Sequence, residues 1–290
     1  MRLLGSVFLI APLLVACSDS VPSTTSNGTN PPPTSVQWTQ VWSDEFDGPA
    51  GAAVDPSKWV NDVGDGCSQG NCGWGNSEKE YYSADAGSIS TNGQGQLVIT
   101  GRVAPPGLDC YYGPCRYTSA KITTRGKLTV SPTGRVEARI KLSTGQGLWP
   151  AFWMLGSKCP QTPWPDCGEI DIMENKGSQA RTTSSALHGP GYSGATPFAH
   201  AQDFSSGTIA DFHTYTVEWG TTYVRWLVDN VPHYSVDAAD IQRYGRSILG
   251  ESFIVILNLA VGGHFDGDPG SDSIFPATML VDYVRVFTAH

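Results

Sequence analysis

Short runs of alternating or continuous apolar character recur along the chain at residues 95–100, 134–142, 213–219, 223–228, 253–259 and 279–287. A period of two puts every second side chain on one face, so these runs predict β-strands, and the Gly, Asn and Asp residues between them predict turns. Asp229-Asn230, between Val228 and Val231, predicts a hairpin, and only the stretch from Ala238 to Tyr244 reads as a short helix. From Gln37 to His290 there is no long 3.6-residue period. That many strands in roughly 250 residues predict one all-β domain, a β-sandwich or jelly roll of two packed antiparallel sheets.

The first 36 residues follow different rules. Arg2 precedes an apolar run from Leu3 to Val15, roughly 13 residues against the ~20 needed to span a bilayer, so residues 1–16 read as an export signal. Its end, Leu14-Val15-Ala16-Cys17, resembles a bacterial lipobox, which makes Cys17 the expected lipidated first residue of a mature, membrane-anchored or secreted protein. The alternative is cleavage nearby with Cys17 left as an odd thiol. Residues 17–36 are then a Ser/Thr/Pro-rich linker with almost nothing to bury.

The chain has seven cysteines. With one assigned to lipid, six remain in an oxidising destination, and six allow fifteen pairings. Proximity favours Cys67 with Cys72, Cys110 with Cys115 and Cys159 with Cys167. Zinc is the rival use, opposed by the absence of any Cys-x-x-Cys. A formal net charge of −9 without a basic run argues against nucleic acid as a partner. The expected partner is a polysaccharide, with contact to a membrane only through the N-terminal lipid and with the protein monomeric. No catalytic cofactor is implied.

The chemistry is concentrated in Glu169-Ile170-Asp171-Ile172-Met173-Glu174. On a strand Glu169 and Asp171 share a face while Ile170 and Ile172 point into the core. Glu174, an odd step away, joins that face only if a β-bulge near Met173 absorbs one residue. Crowded carboxyls resist joint ionisation, so one keeps its proton while another stays charged, which is an acid and a base. Glycosidic bond cleavage uses such a pair. Just upstream, Leu148-Trp149-Pro150-Ala151-Phe152-Trp153-Met154-Leu155 sets Trp149 and Trp153 on one strand face and Phe152 and Met154 on the other. Exposed indoles stack on sugar rings and offer an N–H to hydroxyls.

Both segments resemble the family 16 glycoside hydrolases, in the laminarinase-like branch that carries a residue inserted before the last Glu of the motif. Further likeness covers Ser43 to Gly48, Trp74 to Tyr82, Tyr117 to Ile122, Leu187 to Gly191, Phe212 to Tyr215 and Asn258 to Gly263. The resemblance implies a concanavalin-like sandwich with a concave cleft, Glu169 as nucleophile, Asp171 as its helper and Glu174 as acid/base. It places Trp149 and Trp153 beside the cleaved bond, His188 close to the acid/base, and Asn76, Glu78 and Asn258 against sugar. It also implies a structural calcium held by the Glu45 and Gly95 carbonyls and Asp282; a metal-free, hydrogen-bonded Asp282 is the alternative. Two departures stand out: Glu80 replaces the family's usual Gln, and the segment from His264 to Asp268 replaces one that often carries Trp and Pro. Both are expected in loops or at cleft edges. Trp164, inside the Cys159 to Cys167 loop, is a further candidate platform at the rim.

The activity implied is that of a retaining endo-β-1,3-glucanase acting on laminarin-type or mixed β-1,3/1,4-glucans. Agarase- or carrageenase-like galactan hydrolysis shares the bulged motif. A non-catalytic polysaccharide-binding lipoprotein is the alternative of another class, and the three crowded acids argue against it, because a binder has no use for their repulsion.

Overall fold

The computed structural model describes residues 36–290; the segments expected to be an export signal, a lipidated Cys17 and a linker up to residue 35 lie outside the described residues. Two large sheets carry the fold. One has ten strands and the other seven, with the seven running in the order Phe198–Asp203, Thr182–His188, Glu169–Glu174, Leu148–Gly156, Phe253–Val261, Lys121–Thr123 and Val60–Asp62, every neighbouring pair antiparallel. The ten-stranded sheet is antiparallel except where Glu80–Tyr82 runs parallel to Tyr117–Ser119.

Alternation in the sequence became alternation in burial. Strands Gly134–Leu142, His213–Trp219 and Tyr223–Val228 have the limits that the pattern predicts, and Ala277–Ala289 extends the last run at both ends. Inward side chains of the two sheets form one hydrophobic core, with Phe152, Met154, Ile170, Met173, Leu187 and Leu257 meeting Val136, Ile140, Val217, Trp226, Val281 and Val286. Asp229 and Asn230 both take left-handed φ, 51° and 64°, as a two-residue hairpin between right-twisted strands requires. The expected helix is present but short, Ala238–Ile241. Three 3₁₀ turns, at Cys67–Gln69, Cys72–Gly75 and Asp272–Ile274, carry no periodic signal and were not expected. Disulfides join Cys67 to Cys72, Cys110 to Cys115 and Cys159 to Cys167.

The acidic strand Glu169–Glu174 is bulged where its pattern requires. Across from the tryptophan-bearing strand, Met173 pairs with Phe152 and Asp171 with Trp153, so Ile172 has no partner. On its other side Asp171 pairs with Ala186 and Glu174 with Ser184, three steps against two. Carbonyls displaced by the extra residue find hydroxyls on the neighbouring strand: Ser185 Oγ donates to Ile172 O at 3.0 Å and Ser184 Oγ to Glu174 O at 3.1 Å. From the opposite sheet, buried Trp226 donates its Nε1–H to Asp171 O at 2.9 Å. The bulge is therefore held from one side and from beneath.

Trp226→Phe removes that donor and leaves a backbone carbonyl facing the core, so unfolding in urea should show a loss of at least ~1–3 kcal/mol, the usual cost of an unsatisfied buried group. A variant as stable as the parent would show that the strand ladder alone holds the bulge.

Candidate active site

On the face of the seven-stranded sheet turned away from the core, Glu169, Asp171 and Glu174 stand opposite Leu155, Trp153 and Ala151, alternate residues of one straight neighbouring strand. Their carboxyls thus share a face, as the bulge requires. Glu169 and Asp171 are nearly enclosed, with side-chain exposures of 18% and 6%. His188 is paired with Glu169 across the next strand, and its Nε2 lies 3.1 Å from Asp171 Oδ2 and 3.8 Å from Glu169 Oε1. It therefore sits at the Glu169 end of the row rather than beside Glu174, which faces Ser184. The antiparallel register, set by Leu187 opposite Ile170, is the reason for this difference from the expected placement.

The tryptophan strand supplies two indole donors. Trp149 Nε1 donates to Glu174 Oε1 at 2.9 Å, and Trp153 Nε1 donates to Asn258 Oδ1 at 2.7 Å. Phe152 and Met154, on the opposite face of the strand, are fully buried. Beyond Trp153 a chain of hydrogen bonds continues: Asn258 Nδ2 donates to Tyr82 Oη at 3.1 Å, and Tyr82 O–H donates to Glu78 Oε2 at 3.2 Å. Asn76 Nδ2 donates to the other Glu78 oxygen at 3.1 Å. Lys121 Nζ lies 4.2 Å from the Trp74 ring centroid, 5.3 Å from that of Trp153 and 3.8 Å from Asp62. Asn76, Glu78, Trp153 and Asn258 are thus brought into one network at the Trp153 side, while Trp149 serves Glu174.

Burial sets the electrostatics. It pushes the Glu174 carboxyl up to about 8, helped by the Asp171 charge and opposed by the Trp149 N–H. Burial also raises Glu169, the Asp171 charge adds to this, and His188 opposes it. Asp171 is raised by burial as well. Three such groups in a row hold protons in common near neutral pH, so proton donor and anion coexist there. Among the described residues, Glu169, Asp171 and His188 are the group of His and carboxylate side chains close enough to hold a metal ion, with donor atoms within 4.8 Å.

Trp164 stands half exposed, its ring 5.9 Å from that of His188 and its side chain within reach of Glu169. At the Glu174 end Phe265 stacks on Trp149 with centroids 4.8 Å apart, and Lys176 Nζ lies 4.9 Å from the Phe265 ring. Asp266 accepts from the Gly147 and Ser178 amides at 2.9 and 3.0 Å, tying three loops together. A hollow of about 230 Å³ opens beside Glu174, with Lys176, Gln179, Ser184, His200 and Phe265 in its walls. Glu80, expected at a loop or cleft edge, is instead 1% exposed within Glu80–Tyr82, because the alternation of residues 78, 80 and 82 turns all three inward under the network. Tyr82, Lys121 and Phe265 had not been singled out; for Tyr82 that same alternation was the available signal.

Of the residues implied for calcium, Asp282 lies on the other sheet, and Glu45 and Gly95 lie in the loops next to its strands Trp38–Asp44 and Leu97–Val103. Asp282 occupies a bulge in Ala277–Ala289, between the positions that pair with Leu97 and Asp44, and Arg139 donates to its Oδ2 at 2.7 Å. A Cβ at Gly95 would lie 3.4 Å from Asp47 Oδ1 and 3.8 Å from the Glu45 carbonyl. These are hard oxygen donors, which fits calcium, with Arg139 as a competing cation.

A row of enclosed carboxyls flanked by indoles, on one face of a two-sheet sandwich, defines a carbohydrate-cleaving class of protein. The chain belongs to Glycosyl hydrolases family 16, whose profile matches residues 74–273. It is 37% identical over 261 residues to a beta-glucanase of Rhodothermus marinus, covering 86% of this chain and 85% of the relative. Its structure is similar to that of an endo-beta-1,3-glucanase from Pyrococcus furiosus, with TM-score 0.81 and 40% identity over 88% of this chain and 96% of that one. The laminarinase catalytic domain of Thermotoga maritima gives TM-score 0.80 and 38% identity over 87% and 98%.

Because the Trp149 N–H favours the ionised form of Glu174, Trp149→Phe should raise the alkaline limb of the kcat/KM profile by up to about one pH unit, the equivalent of ~1.4 kcal/mol. A limb that stays in place, or moves down, would separate Trp149 from the protonation of Glu174.

Proposed function

We propose that the protein is a retaining endo-β-1,3-glucanase of laminarin-type glucans that also accepts mixed β-1,3/1,4 chains. One observation carries the reading: the bulge sets Glu169 and Glu174 on one face of one strand, four regular steps of the neighbouring strand apart. Similarity to a beta-glucanase and to endo-beta-1,3-glucanase structures supports the substrate class.

In the first step the Glu169 carboxylate attacks the anomeric carbon as the bond to the leaving sugar breaks. Glu174 gives its proton to the departing oxygen. In the second step Glu174 takes a proton from water, the water oxygen bonds to the anomeric carbon, and the ester to Glu169 opens. Asp171 governs which oxygen of the row holds a proton, and its contact with His188 fixes its orientation. Attack by a side chain needs the two carboxyls ~5 Å apart, whereas inversion needs roughly 6.5–9.5 Å to seat a water.

The same proposal includes export by residues 1–16, a lipid on Cys17, the linker of residues 17–36 and a catalytic domain from residue 37 to 290, active at the cell surface or in the periplasm. It also includes a calcium held by the Glu45 and Gly95 carbonyls with Asp282, which would cross-link strands and take no part in the chemistry. Intact mass of the mature chain tests the lipid, and thermal unfolding with added calcium or chelator tests the ion.

Laminarin should release reducing ends, and proton NMR of fresh product should show the β-anomer first; activity confined to a galactan, or initial α-anomer, would overturn the reading. Glu169→Gln and Glu174→Gln should each abolish nearly all laminarin turnover. With an activated aryl glycoside only Glu174→Gln should keep part of its first-step rate, since a good leaving group departs without a proton. Equal residues of activity would reverse or void the roles.

A further inference from the structure

Beneath the Trp153 side of the site two carboxyl side chains are buried together, Glu78 at 5% exposure and Glu80 at 1%: two residues apart on one extended segment, they turn to the same face, and they meet adjacent residues of one strand end, Glu78 bridging to Gly262 and Glu80 accepting the Val261 amide. We infer that Glu80 is a neutral carboxylic acid that donates its proton to Glu78, and so acts as a positioning residue for the Glu78 carboxylate. The inference rests on the glucanase reading only in placing Glu78 against the substrate.

Hydrogen-bond direction assigns the proton. An indole N–H can only donate, so Trp153 donates to Asn258 Oδ1, and the amide nitrogen of Asn258 must then donate to Tyr82. The Tyr82 oxygen has accepted that bond, which leaves its single proton for Glu78 Oε2. The Asn76 amide donates to Glu78 Oε1. Every neighbour with a fixed role thus presents a donor to Glu78, which is the pattern around an anion. Glu80 differs: Oε2 accepts the Val261 amide at 2.7 Å, while Oε1 is buried with no partner of its own. An ionised Glu80 would set a second charge beside Glu78 and leave Oε1 an empty buried acceptor; a protonated Oε1 removes that charge and supplies a donor to the neighbouring carboxylate.

The groups facing Glu80 agree. On its own segment they are Glu78, whose charge opposes ionisation, and Tyr82, held un-ionised by burial. The hairpin around Cys110–Cys115 contributes Tyr112, and Lys121–Thr123 contributes Lys121, whose charge favours ionised Glu78 more than Glu80. The strand Phe253–Val261 presents the Val261 amide and the Asn258 side chain, neither of which titrates. Burial and the Glu78 charge hold Glu80 well above the carboxylate range.

A group raised in the folded protein above its unfolded pKa contributes stability that is complete below the unfolded value and is lost as pH rises through the folded one. Glu80→Gln keeps a donor of the same shape and cannot ionise. Melting temperatures of both proteins from pH 6 to 9.5 should therefore diverge, the parent falling more steeply while the titration of Glu169, Asp171 and Glu174 is common to both. In parallel, KM for laminarin should rise about ten-fold in the parent across the alkaline range and less than about three-fold in Glu80→Gln. Glu80→Met, which has no donor, should show a raised KM at every pH.

Parallel melting curves, or a KM in Glu80→Gln that tracks the parent, would overturn the inference, as would a folded Glu80→Met with parental KM at pH 6. If Glu80→Met does not fold, the Gln variant still decides. A parent protein inert on laminarin would defeat the glucanase reading while leaving the melting comparison to judge Glu80.

Discussion

A strand shows one face every second residue, and this site needs three acids on one face at positions whose spacing breaks that rule. The bulge at Ile172 resolves the conflict, and much of the local structure follows from it. Displaced carbonyls require hydroxyls, which Ser184 and Ser185 provide, and a donor from below, which Trp226 provides. The straight strand beside it can then carry Trp149 and Trp153 in step with the acids, one N–H serving Glu174 and the other serving Asn258. Geometry of the sheet and chemistry of the face are thus consequences of one extra residue.

The second theme is dry charge. Burial raises Glu169, Asp171 and Glu174, and on the other side of Trp153 it raises Glu78 and Glu80. Few cations offset this: among the described residues Lys121 is the buried lysine or arginine, and His188 stands against the Glu169 end. Such an arrangement is tolerable only where protons are shared and hydrogen bonds are directed, which is how each of the two groups is built. Stability given up here is a familiar companion of active sites.

Much of this was legible in the sequence, where local rules act. Alternation gave the limits of Gly134–Leu142 and His213–Trp219, and the odd step between Asp171 and Glu174 implied the bulge. What was not legible depends on partners distant along the chain. Residues 78 to 82 form too short a run for their inward turn to be read, so Glu80 was expected at an edge, and nothing near Phe265 announces that it covers Trp149. That His188 pairs with Glu169 and touches Asp171 was not legible either, because register between strands depends on which hydrophobic residues meet across them, here Ile170 and Leu187.

The hydroxyl row opposite the bulge bears on how such a motif can change over time. Deleting Met173 alone would restore simple alternation and keep three acids on one face, with the last Glu now two residues after Asp171. It would leave Ser184 and Ser185 aimed at carbonyls that had returned to the ladder, while the last acid would still stand opposite Ala151 and in step with Trp149. The tryptophan strand therefore serves the motif with or without the extra residue, and the hydroxyls of the other neighbouring strand are what the extra residue calls for.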